Sequence, residues 1–127
     1  MKEGPKEGAG IQERTLEYAI RSVRLFQALQ AEPDRAGWTI GRQFLRAATS
    51  IGANVAEAQS AESRADFVHK LSIAQKEARE SLYWLQVLER ADILAPARLA
   101  DLRNETDEII AILAAIILST RQNARRP

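Results

Sequence analysis

The chain divides into four stretches in which apolar residues return every three or four positions, the period of a helix that buries one face. In the first, Leu16, Ala19, Ile20, Val23 and Phe26 share a face; in the second, Ile40, Phe44, Ala48, Ile51, Val55 and Ala58 do. The third runs Phe67, Leu71, Ala74, Ala78, Ser81, Leu85, Leu88 in steps of four and three, and the fourth Leu99, Leu102, Thr106, Ile109, Leu113, Ile116. No stretch keeps the strict alternation of a half-buried strand. The pattern predicts an all-α chain of four helices.

Glycine and proline fall between the stretches and mark their ends. Gly4, Pro5, Gly8 and Gly10 set off a polar leader. Pro33 and Gly37 lie in a connection over Ala31 to Gly37, the polar run Gln59 to Arg64 makes the second break, and Pro96 the third. Ser63 followed by Asp66 reads as a capping box, the serine accepting from an orphan N–H of the first turn. Asp66 also suits the positive end of the helix dipole, and Pro96 a first turn where no N–H is needed. Steps of three and four with short connections predict an antiparallel up-and-down four-helix bundle. The division is a leader over 1–12, the bundle over 13–122 and a basic tail over 123–127.

The fourth stretch carries more apolar residues than one face needs. Ile112 and Leu118 lie about 120° apart around the helix, on either side of the Ile109, Leu113, Ile116 seam, and Ile110 and Ile117 fill in beside it. A helix apolar nearly all round is covered on most sides, which predicts a homo-oligomer with Ile110, Ile112, Ile117 and Leu118 at the interface. Trp84, off the main seam of the third helix, joins them. The competing reading folds the connection after the first helix, with Trp38, over the same excess.

Composition narrows the possible chemistry. The chain has 127 residues, enough for one core and one domain. It has no cysteine, which excludes disulfides and thiolate nucleophiles and suits a cytoplasmic location. The longest apolar run, Ile109 to Leu118, is about half a membrane span, so no membrane partner is expected. With 18 basic and 17 acidic side chains the net charge is +1, weak support for a phosphate-binding role.

The candidate chemistry is sparse. A carboxylate-bridged metal pair in a bundle needs Glu-x-x-His twice; here one histidine, His69, follows the capping Asp66, so no metal, cofactor or enzymatic activity is expected. Gly52, within a run of small residues, predicts close approach of a neighbouring helix. Asn54 and Glu57 flank an apolar seam as a register-setting pair, and Lys76 can pair with Glu80 one turn on. Five arginines are candidate nucleic-acid contacts: Arg14, Arg21 and Arg24 on one stripe of the first helix, Arg42 and Arg46 one turn apart on the second. Glu17, between Arg14 and Arg21, can neutralise either and make the stripe an ordinary solvated face.

Leu45–Ala58 (LRAATSIGANVAEA) resembles the signature of the four-helix-bundle proteins encoded by intervening sequences of bacterial 23S ribosomal RNA. Asp66–Ala74 (DFVHKLSIA) and Lys76–Leu85 (KEARESLYWL) are similar to that family's third helix. The resemblance runs over residues 14–122. It implies an up-and-down bundle assembling as a homopentamer, in a family whose biochemical role is undetermined. It also implies kinship with the accessory protein of diversity-generating retroelements, a pentamer that binds nucleic acid and a reverse transcriptase. That relative is distinctly basic and this chain is nearly neutral, which counts against direct nucleic-acid binding. Two roles follow as expectations: an oligomeric scaffold or adaptor facing a protein partner, or an RNA- or DNA-binding accessory acting through a basic patch.

Overall fold

The computed structural model describes residues 10–124. In order they form α1 (Gly10–Gln30), α2 (Arg35–Ala58), α3 (Arg64–Arg90) and α4 (Pro96–Ala124), with no strand among the described residues. Helix α1 therefore begins inside the expected leader, with Gly10 and Ile11 already buried, and α4 runs two residues past its expected end. The rest of the expected leader, 1–9, and the tail residues 125–127 lie outside the described residues. None of the described helices is long and apolar enough to cross a membrane.

Local chemistry sets the ends. Helix α2 starts two residues before Gly37 because Asp34 caps it, accepting from the backbone N–H groups of Ala36 (2.9 Å) and Gly37 (3.2 Å). Gly37 is thus inside the helix rather than in the connection. A side chain there would stand 3.1 Å from Ile93 Cγ2, so the glycine serves packing rather than helix breaking. Ser63 caps α3 as expected, its Oγ accepting from Asp66 N–H at 3.0 Å. Asp66 accepts in return from Glu62 N–H, one residue earlier than a standard capping box. Between α3 and α4, Asp92 takes φ +58°, a left-handed turn that lets Ile93 N–H reach back to the Leu88 carbonyl at 3.0 Å.

Each helix packs on its chain neighbours, and α4 closes on α1; α1 and α3 stand diagonally, as do α2 and α4. Side-chain pairs fix the antiparallel register. Lys70 meets Glu57 and Arg46 meets Glu77 across α2 and α3, while Arg103 meets Glu89 across α3 and α4. The packing is that of a four-helix bundle.

The core follows the expected faces on α2 and α3, with Phe44, Ile51, Val55, Leu71, Leu85 and Leu88 fully buried. Two expectations fail. On α4 the inward residue after Leu113 is Ile117 rather than Ile116. A strict seven-residue repeat drifts about 20° per heptad on a straight helix, and an extra step of four restores the inward direction. On α1 the core face is Ile11, Thr15, Tyr18, Ser22, Leu25 and Leu29, while the expected seam turns outward. Three polar residues sit among the six inward ones, and each is satisfied. Thr15 Oγ1 donates to the Ile11 carbonyl (2.7 Å) and Ser22 Oγ to the Tyr18 carbonyl (2.8 Å). Tyr18 hydroxyl lies 2.7 Å from Thr106 Oγ1, tying α1 to α4. Burial pushes the Tyr18 phenol up to about 12.

Candidate functional site

Turning α1 this way leaves its apolar stripe uncovered. Leu16 is 56% exposed, Ile20 39% and Val23 39%. About 100° per residue puts the three within some 60° of one another on the outer surface, with Ala19 and Phe26 half-buried on the α2 side of the stripe. Beside them, α2 presents Thr49, Gly52, Ala53 and Ala56, and the two helices enclose a groove of about 420 Å³ walled by Leu16 and Ala19.

Glycine lets α1 and α2 approach closely beside that groove. A methyl group on Gly52 would stand 3.1 Å from the Thr15 carbonyl oxygen, and one on Gly41 would stand 2.9 Å from Leu29 Cδ1 and 3.1 Å from Phe26 Cδ1. The expected close approach at Gly52 is therefore real, and the neighbour is the α1 backbone. Toward the far end Trp38 stays partly exposed, its indole N–H shared between the Leu29 and Glu32 carbonyls at 2.9 Å each. It closes the C-terminal end of α1 and does not fold over α4, which removes that alternative. Of the six large hydrophobic residues exposed among the described residues, four (Leu16, Ile20, Val23 and Trp38) lie on α1 and α2, so apolar exposure concentrates on this side.

The interface residues expected elsewhere are mostly used within the subunit. Ile117 is 6% exposed and belongs to the core; Ile110, Ile112 and Trp84 are half-buried against it. Only Leu118, 58% exposed, faces outward.

The five arginines do not gather on one surface. Arg14 forks onto Glu105 (Nε–Oε2 3.0 Å, Nη2–Oε1 2.7 Å) and also meets Glu108. These carboxylates raise its pKa further above the ordinary guanidinium range. Its expected partner Glu17 is not used. Arg46 reaches across to Glu77 and Glu80 of α3, so Glu80 is engaged there and with the Trp84 indole N–H at 3.0 Å instead of with Lys76. Arg21 and Arg24 border a furrow between α1 and α4 with Arg98 and Asp101, and Arg42 is exposed on α2. Asn54 and Glu57 do not pair either: the amide of Asn54 donates to the Ser50 carbonyl at 2.9 Å, and Glu57 takes Lys70 at 3.3 Å. Among the described residues no three His, Cys, Asp or Glu side chains converge on a metal position.

One signal in the sequence pointed to the true α1 face. Ile11, Thr15, Tyr18, Ser22, Leu25 and Leu29 keep steps of four and three over the whole helix, a steadier seam than the more apolar set chosen in its place.

A model of the 23S rRNA-intervening sequence protein family matches residues 10–115 of the chain. Among solved structures, the chain is similar to a protein of unknown function from the S23 ribosomal protein family of Bacteroides thetaiotaomicron. The two are 41% identical and superpose with a TM-score of 0.80 over 84% of this chain and 97% of that one. No curated protein matches.

Proposed function

This chain belongs to the 23S rRNA-intervening sequence protein family, and from that premise we propose that it works without catalysis, as a self-associating helical scaffold whose α1–α2 face packs against another copy. The observation that carries this reading is the uncovered stripe Leu16, Ile20 and Val23 beside the small-residue floor of α2. A soluble monomer rarely leaves a contiguous apolar stripe in water. Fully burying one side chain of this size contributes about 1.5–3 kcal/mol, so covering the 39–56% still exposed on each contributes roughly half of that, and three per subunit are enough to matter to assembly.

Large residues beside a floor of Ala and Gly suit helix packing at short range, since interhelical distance falls with side-chain size. A second copy supplies such a helix at matching concentration and with closed symmetry available. The homopentamer implied by the family resemblance is the assembly we propose. The alternative role, nucleic-acid binding through Arg14, Arg21, Arg24, Arg42 and Arg46, has less behind it, because Arg14 and Arg46 are held by two carboxylates each.

Light scattering on the full chain tests the proposal. The wild type is expected at five subunits, and Leu16→Glu with Ile20→Glu at a lower mass with helical signal retained. A monomeric wild type sinks the reading. A mass unchanged in the double variant moves the interface elsewhere, with Leu118→Glu as the variant that examines α4.

A further inference from the structure

All four acids of α3 are engaged away from its outer surface. Glu77 and Glu80 meet Arg46 of α2, Glu89 meets Arg103 of α4 at 2.8 Å, and Asp66 accepts at the helix start. The opposite side of the same helix is left to cations. Lys76, Arg79 and Arg90 are exposed, each one or two turns from the 56% exposed Tyr83. At about 100° per residue these four fall within some 60° of one another, centred about 160° from the middle of the core face that runs from Leu71 to Leu88. None of the three cations enters a salt bridge among the described residues. The stripe extends about 21 Å, at 1.5 Å per residue.

Tyr83 is held for presentation. Its ring packs edge-on against Trp84, with centroids 5.0 Å apart and planes at 71°, and Trp84 is fixed in turn by its indole bond to Glu80. The shallow hollow of about 340 Å³ beside Tyr83 is bordered by Gln86, Val87 and Arg90. An aromatic ring flanked along one line by unpaired cations is the arrangement that receives a single strand, phosphates on the cations and a base on the ring. Cations and a tyrosine also serve protein interfaces, and it is their spacing along one line of about 21 Å that favours an extended strand.

We propose that the outer stripe of α3, Lys76, Arg79, Tyr83 and Arg90, is a contact for a single-stranded nucleic acid. It stands on α3 alone, diagonally across the bundle from α1, and does not depend on the self-association reading.

The test is fluorescence anisotropy of a labelled twelve-nucleotide uridine RNA with the full chain at about 50 and 200 mM salt. The expected result is binding that weakens with salt. Lys76→Glu with Arg79→Glu lowers affinity at least about tenfold and flattens the salt dependence. Tyr83→Ala lowers it about tenfold while keeping the salt slope, as loss of stacking does. Arg98→Glu, exposed on the α1–α4 side and off the stripe, stays within about twofold. Circular dichroism and subunit mass are measured on every variant. Absence of binding at the lower salt overturns the proposal, as does an equal loss in Arg98→Glu. A changed subunit mass in Lys76→Glu with Arg79→Glu overturns it too, since the stripe would then serve a contact between copies.

Discussion

Gly52 and the backbone of Thr15 are in such close register that a methyl group on the glycine would lie 3.1 Å from the Thr15 carbonyl oxygen and 3.3 Å from its carbon. The obstacle is the main chain of α1, which moves only as a whole helix. Alanine would improve helix propensity by about 1 kcal/mol. Overpacking a rigid contact costs about 1–3 kcal/mol and is expected to win. Gly52→Ala should lower stability by about 1 kcal/mol in chemical denaturation; a stabilised variant would show that α1 can slide.

Two neighbours on α4 give opposite expectations. Ile117→Ala opens a cavity in the core and should cost about 2–4 kcal/mol. Leu118→Ala, on the outer surface, should change stability by less than about 0.5 kcal/mol. Urea unfolding of both variants checks the α4 register, and a reversed order would restore Ile116 to the seam.

Tyr18 ties stability to alkaline pH. Its folded pKa stands at about 12 against an ordinary value of 10.0, so the folded state holds the phenolic proton more tightly than the unfolded one. The contribution is complete below pH 10 and is lost as pH rises from 10 toward 12. In a Tyr83→Phe background, tyrosinate absorbance reports Tyr18 alone and should rise in that window together with loss of helix. Tyr18→Phe should flatten the fall in stability between pH 10 and 12.

Asp92 occupies a left-handed position, φ +58°, that glycine accepts without strain. The turn keeps its bonds from Asp92 N–H to Glu89 and from Ile93 N–H to Leu88 whatever the side chain. Asp92→Gly should stabilise the protein by about 0.5–1 kcal/mol, seen as a higher melting temperature. A lower one would mean that the carboxylate has a partner beyond the turn.

The four helices were legible because period and punctuation agreed. Phe44 to Ala58 and Leu71 to Leu88 fell on the inner faces, and Ser63 and Pro96 at helix starts. The exposed apolar stripe was not legible, because hydrophobicity alone chose the wrong side of α1. Leu16, Ile20 and Val23 outrank Thr15, Tyr18 and Ser22 on any apolar scale. Yet hydroxyl groups that bond to their own helix, or to Thr106, can be buried at little cost. The pairing of charges was hidden for a related reason. Arg14 had Glu17 within reach along the chain and Arg46 had no acid nearby, yet both found carboxylates on helices dozens of residues away.

The order of polar and apolar residues therefore determined the number of helices, their approximate ends and their antiparallel sense, since each depends on neighbours within a few turns. Tertiary packing decided which way α1 turned, where the paired carboxylates went, and which surfaces were left over. Those outcomes depend on distances between helices. The glycines at 41 and 52 let α1 sit against α2 with its hydroxyl-bearing face inward, and that single choice of rotation left its apolar face open.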